Sequence, residues 1–279
     1  MIEERIQSRL ETLSKRERQL AELLLAFPGE VATNSATELA ERAKVSKATA
    51  TRLFRRLGYR DYNEARREAR AARRSGLMPY LNVPTGIATN LSRQLSLHLD
   101  REVINLTRSI EALNPETVAA VVDGLVKARR VVIIGFRSSY ILGDYLRRQL
   151  ATVRTGVELL PRPGQTLGDE LSGLAPEDMI VIVAFRRRVP VIREIFKLTG
   201  ELAIQTLLFT DSATKLDHAV ATWTISCPVY GAYLFDSYVG PLSAMSYLCS
   251  AVAQHEGDVA QARFRRSERL HKSLRELEI

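Results

Sequence analysis

SATELAERAKVSKATATRLFRRLGY, residues 35–59, reads as two short helices joined by a tight turn. Ser35 caps the first helix, and Glu38, three residues on, completes a capping box. Ala36, Leu39, Ala40 and Ala43 then recur at helical spacing as an apolar stripe. Ser46 opens the second helix, whose Ala50, Leu53, Phe54 and Leu57 face inward, and Gly58 follows at the position of a left-handed C-cap. Upstream, Leu13, Leu20, Leu23, Leu24 and Phe27 mark a third amphipathic helix, opened by a second capping box, Ser14 with Glu17. Three such helices enclose a small core. A helix-turn-helix places its second helix in the DNA major groove.

The second helix carries Lys47, Thr49, Thr51, Arg52, Arg55 and Arg56 on the faces its apolar residues leave free, behind Ser46. From Arg42 to Arg74 there are twelve Lys/Arg against Asp61, Glu64 and Glu68, a local balance of +9 in a chain whose total is +8. The rest of the chain therefore sums to −1, so the excess charge lies where DNA phosphates would run. Lys47, Thr49 and Arg52, near the start of the helix, are expected at base edges. Arg55, Arg56, Arg60 and the series Arg66 to Arg74 are expected at phosphates, the last as an alternative to a solvated linker helix.

At 279 residues, 46% hydrophobic and 26% charged, the chain has room for two domains with sizeable cores. No apolar run approaches the roughly 20 residues needed to span a bilayer, and MIEERIQSRLE lacks the apolar stretch of a secretory signal. The two cysteines, Cys227 and Cys249, and the four histidines show no ligand spacing. A cytoplasmic setting with no metal and no cofactor is expected. The segment SGLMPYLNVPTG has the composition of a linker, which gives a helix-turn-helix domain over 1–75, a linker over 76–90 and a second domain over 91–279.

The second domain alternates strands with helices. Helices over about 91–113 and 115–127 precede RVVIIG (130–135), a β-branched run of the kind buried on both faces. VELL (157–160), MIVIVAF (179–185), IQTLLFT (204–210) and ATWTISCP (221–228) repeat the signal. The expected fold class is thus an all-α N-terminal domain followed by an α/β doubly wound, five-stranded parallel sheet. In such sheets ligands bind beyond the carboxyl ends of the strands, where the strand order reverses. That directs attention to the loops 135–140 and 185–190. The C-terminal ARFRRSERLHKSLREL (262–277) reads as a basic amphipathic helix that packs on a partner subunit through Phe264, Leu270, Leu274 and Leu277 or remains solvated.

With SATELAERAKVSKATATRLFRRLGYRDYNEAR in the first domain, GFRSS (135–139) after the first strand and TDS (210–212) after the fourth, the chain resembles the RpiR family of bacterial transcriptional regulators. Those pair a helix-turn-helix with a sugar isomerase (SIS) domain. The resemblance implies an operator-binding first domain, a second domain that senses a small metabolite, often a phosphosugar, and a homodimer or homotetramer. A two-fold protein implies a pseudo-palindromic double-stranded operator. The chain departs from the SIS pattern at two loops. Gly135 and Ser139 match a Gly-x-Gly-x-Ser loop, but Arg137 occupies the second glycine; a Ser-rich phosphate loop after the third strand is replaced by AFRRRVP (184–190).

Two readings of these arginines stand side by side. In one, Gly135, Arg137, Ser138, Ser139, Arg186, Arg187 and Arg188 line a site for a small anion, a phosphosugar or a carboxylate. In the other, Arg186 to Arg188 are solvated or paired at a subunit interface, and Ser138 and Ser139 cap a helix beginning at Tyr140. No catalytic residue is assigned. Asp169, Glu170 and His218 are the candidate acids and bases, and each reads more simply as a surface residue or a cap, so a sugar-phosphate isomerase with an accessory DNA-binding domain is the alternative function.

Overall fold

A computed structural model describes the chain except Met1, 27–29, 75–90, 187, 212–220, 234 and 278–279. The chain divides into two compact units: residues 1–101 with 230–236, and residues 102–229 with 237–279. The expected boundary at 90/91 is corrected to 101/102. The expected linker 76–90 lies outside the described residues.

In the first unit, helices α1 (Ile2–Gln7), α2 (Lys15–Ala26), α3 (Glu30–Thr33), α4 (Ala36–Arg42), α5 (Lys47–Arg56) and α6 (Tyr62–Arg74) follow one another. Ile6, Leu20, Leu24, Leu39, Leu53, Phe54 and Leu57 are fully buried and form one cluster. Burying side chains of this size stabilises by about 1.5–3 kcal/mol each relative to exposure, which holds short helices that would not persist alone. Both expected boxes close. Ser35 Oγ accepts from the Glu38 N–H while the Glu38 carboxylate accepts from the Ser35 N–H, and Ser14 and Glu17 do likewise. A buried carboxylate, Glu30, ties the unit together: it is bonded to Asn34 and Arg42 and pairs with Arg101 at 3.2 Å. Arg101 is itself buried, which is why the unit extends past residue 90.

The segment joining α4 to α5 ends α4 without a glycine. Lys44 takes φ 51°, the Val45 N–H reaches the Ala40 carbonyl at 2.8 Å, and the Lys44 N–H reaches the Glu41 carbonyl at 2.9 Å. This pair of bonds is a Schellman motif on a lysine. The end of α5 repeats it on Gly58, φ 87°, with Tyr59 N–H on the Phe54 carbonyl and Gly58 N–H on the Arg55 carbonyl.

The described strands of the second unit are β1 (Val131–Gly135), β2 (Val157–Leu160), β3 (Met179–Ala184), β4 (Gln205–Thr210) and β5 (Trp223–Ser226). All pair in parallel, in the order β2-β1-β3-β4-β5. The helices of this part of the chain are α7 (Leu91–Glu111), within which the unit boundary falls, α8 (Pro115–Lys127), α9 (Ser138–Val153), α10 (Leu167–Leu171), α11 (Val191–Glu201), α12 (Val239–Glu256) and α13 (Asp258–Leu274). Val131, Ile133, Val181 and Leu207 pack on one face with residues of α8, α9 and α12; Val132, Ile134, Ile180, Ile182 and Leu208 pack on the other with α10 and α11. Strands buried on both faces explain why these runs are continuously apolar. The order reverses at β1/β3.

Candidate functional site

The face of α5 that is free of the core carries Lys47, Thr51, Arg52, Arg55 and Arg56, all exposed. Ser46 is the N-cap and accepts from the Thr49 N–H at 3.2 Å. Thr49 is not on that face. It is buried, its hydroxyl sharing a 2.9 Å hydrogen bond with that of Ser46, so the expectation that it meets a base edge is corrected. The helical period already carried the signal: Thr49, Leu53 and Leu57 fall at i, i+4 and i+8. Thr51 bonds back to the Lys47 carbonyl at 3.1 Å.

Arg56 differs from its neighbours. Its guanidinium donates to the Thr12 carbonyl at 3.1 Å and pairs with Glu17 at 3.2 Å. Burial by itself would raise the Glu17 carboxyl; hydrogen bonds from Ser14 and the charges of Arg56 and Arg52 outweigh it and hold the group below the ordinary carboxylate range. Arg56 is thus committed to the first unit's own frame, at odds with a role confined to phosphate contact. Beyond the helix end, Arg5 of α1 donates to the Leu57 carbonyl at 3.2 Å and lies 4.4 Å over the Tyr59 ring. Nothing local in the sequence links residues 5 and 57, so neither Arg5 nor its contact was legible there.

In the second unit the loops after β1 and β3 meet at the reversal. The Phe185 N–H donates to Ser139 Oγ at 3.2 Å, and Ser139 is buried. Gly135 is required there: a β-carbon would stand 2.6 Å from the Ser139 carbonyl oxygen. Arg137 takes φ 57°, ψ −130° as the N-cap of α9, with no side-chain cap bond. The expected start at Tyr140 and the capping role of Ser138 and Ser139 are corrected, because both serines stand inside the first turn and Ser139 is spent on Phe185. Arg137 and Ser138 are exposed. Pro190, the N-cap of α11, likewise offers no side-chain bond to the helix it opens. The first turns of two helices therefore stand without side-chain caps beside these loops, and such turns favour anions.

The three loop arginines are not equivalent. Arg188 donates to the Ala184 carbonyl at 3.0 Å, bonds Thr210 Oγ1 and pairs with Asp211 at 3.2 Å, with 14% of the arginine and 3% of the aspartate side chain exposed. Asp211 belongs to the TDS phrase, whose role as the partner of Arg188 the sequence did not disclose. Arg186 is half-buried, and Arg187 lies outside the described residues. Of the candidate acids and bases, Asp169 is bonded to Thr166 at 2.5 Å and Glu170 accepts from the Arg162 N–H at 2.9 Å. Both serve the segment that opens α10. His218 lies outside the described residues. Among the described residues no group of three or more His, Cys, Asp or Glu comes together for a metal, and no helix is long and apolar enough to cross a membrane. Burial pushes Cys227 up to about 11 and Cys249 up to about 12, which leaves both as buried thiols.

A helix with an exposed basic face on a small helical core, joined in one chain to a parallel sheet with paired loops at its reversal, is the architecture of a two-domain transcriptional regulator. Residues 1–71 match the model of the rpiR-family helix-turn-helix domain, and residues 124–246 match that of the SIS domain. The chain belongs to the RpiR family of HTH-type transcriptional regulators. It is 24% identical over 270 residues to the HTH-type transcriptional regulator HexR of Pseudomonas aeruginosa, covering 94% of this chain and 93% of that one. Its fold matches the sugar isomerase domain of an RpiR transcription factor from Sphaerobacter thermophilus with TM-score 0.59 and 22% identity, over 63% of this chain and 98% of that one. The Vibrio vulnificus NanR protein, solved in complex with ManNAc-6P, matches with TM-score 0.56 and 18% identity over 98% of this chain and 99% of that one.

Proposed function

We propose that this regulator reads a pseudo-palindromic operator through Lys47, Arg52 and Arg55 of α5, and that a small anionic metabolite bound at the β1/β3 reversal alters its DNA affinity. The observation that carries the sensing half is the junction of the two loops: Ser139 of one accepts from Phe185 of the other, so that Arg137 and Arg186 stand on loops tied together. Two helix first turns without side-chain caps add positive potential. A phosphosugar is the first class to test, since the NanR neighbour was solved with one; carboxylates are the second. Arg188 enters this reading as a support held by Asp211, and Gly135 and Ser138 as backbone of the cradle.

The regulator works without turnover in this reading, in which Asp169 and Glu170 serve the segment that opens α10 through Thr166 and Arg162. A homodimer or homotetramer is supported by apolar side chains left exposed on α7 (Leu91, Leu95, Leu99) and α13 (Phe264, Leu270, Leu274). Two protomers would then place their α5 helices in successive major grooves, about 34–36 Å or a multiple apart. The test begins with fragments selected from genomic DNA by the purified chain. A panel of sugar phosphates and carboxylates is then titrated against the selected duplex. Arg137→Ala should abolish the response and spare operator binding; an unchanged titration curve would remove Arg137 from the site. Consumption of any sugar phosphate by the purified chain would overturn the non-catalytic reading.

A further inference from the structure

The exposed residues expected at base edges, Lys47 and Arg52, lie on α5, yet two residues elsewhere hold its C-terminal end. Arg5 donates to the Leu57 carbonyl at 3.2 Å and to the Gly58 carbonyl at 3.4 Å. Its guanidinium lies 4.4 Å over the Tyr59 ring and 3.6 Å from Glu68, and the Tyr59 hydroxyl donates to the same Glu68 at 3.0 Å. A positive charge on the last carbonyls of a helix meets the negative end of its dipole. On the neighbouring side Glu17, buried and fixed by Ser14, pairs with Arg56 at 3.2 Å. At the N-terminal end of α5 the side-chain bonds among the described residues are those of the local Ser46–Thr49 cap.

We propose that Arg5 and Glu17 are positioning residues for operator discrimination, which set the direction in which α5 enters the major groove without touching DNA themselves. The core contacts of Ala50, Leu53 and Phe54 hold α5 against the unit but are non-directional. Hydrogen bonds and a cation–π contact at one end add direction. The lever is long for what it controls. Ten residues span about 15 Å, so a swing of about 4° at the C-terminal clamp moves the base-reading end by about 1 Å. Base-edge hydrogen bonds do not tolerate that displacement, whereas phosphate contacts through long flexible side chains do.

The experiment uses the full chain, a duplex selected from genomic fragments and a shuffled duplex of the same composition. Affinities for both are measured at several salt concentrations for Arg5→Met, Arg5→Lys, Glu17→Gln and Arg52→Ala, with the melting temperature of each. Arg5→Met and Glu17→Gln should each lower the ratio of selected to shuffled affinity about tenfold, on the scale of one lost base contact. Shuffled-duplex affinity and the salt slope should stay as in the parent chain, and Arg5→Lys should recover part of the ratio. An unchanged ratio would overturn the proposal and leave these residues structural only. So would a fall in both affinities with a slope smaller by about 0.9, the mark of a lost phosphate contact. Should Arg5→Met not fold, Glu17→Gln, which keeps the shape of the side chain, decides the matter. The proposal rests on α5 being the reading helix; if Arg52→Ala leaves the ratio untouched, that reading fails separately.

Discussion

Arg52 and Arg55 of α5 and Arg188 of the β3–α11 loop face opposite tasks. On α5, Arg52 and Arg55 project from a helix whose caps and core are complete without them, so their charge is available outward. In the loop, Arg188 is turned inward onto Ala184, Thr210 and Asp211, and most of its charge is met by the protein itself. A count of basic residues treats the two sets alike. Their different neighbours show that a guanidinium signals a partner only after the carboxylates and carbonyls around it are known.

The largest effects should come from breaking the inward set. Asp211→Ala takes from Arg188 a carboxylate held at 3.2 Å and should cost about 1.5–3 kcal/mol in urea unfolding. A cost below about 1 kcal/mol would mean that Arg188 is as available as Arg52. Asp178 offers the same test at the other end of the sheet, where it pairs with Arg129 at 2.8 Å and Arg130 at 3.1 Å. Burial would raise the Asp178 carboxyl, but the two arginines and the Ala175 N–H hold it below the ordinary range. A carboxyl depressed on folding contributes stability above its unfolded value near 4 that is lost as pH falls through the folded value. Urea midpoints followed downward from pH 7 should therefore fall in acid, and less steeply for Asp178→Asn.

On the outward set, Arg52→Ala should leave stability within about 0.5 kcal/mol and cost about 1–3 kcal/mol of operator discrimination. The contrast sharpens at the adjacent buried position. Thr49→Val should lower stability by about 1 kcal/mol through the lost Ser46 bond and leave operator preference unchanged in a duplex-binding assay. A shift in preference at one base position would return Thr49 to the reading face. The smallest effect is expected at the turn. Lys44→Gly relieves a lysine at φ 51° and should raise the melting temperature of the first unit, by an amount equivalent to about 0.5–1 kcal/mol.

Legibility in the sequence followed the distance between partners. The Ser35–Glu38 and Ser14–Glu17 boxes, the Ser46 cap and the Gly58 terminus are closed by residues three to five apart, and all were readable. The five strands were readable because burial on both faces writes itself as an apolar run. The contacts that assign roles are longer in sequence: Arg5 to Leu57, Arg56 to Glu17, Arg101 to Glu30 and Arg188 to Asp211. No periodicity announces them. Thr49 is a different case, because its inward phase was present in the pattern, and its polar chemistry drew it to the wrong face.

Arg137 adds an evolutionary consequence. Its φ of 57° with ψ −130° is backbone in which glycine is at ease and a β-carbon is crowded, at a cost on the order of 1 kcal/mol. Every arginine codon lies one base from a glycine codon, so the relieving mutation is always within reach of drift. Arg137→Gly, a single base change, should therefore be more stable than the parent, a gain that the urea midpoint would read.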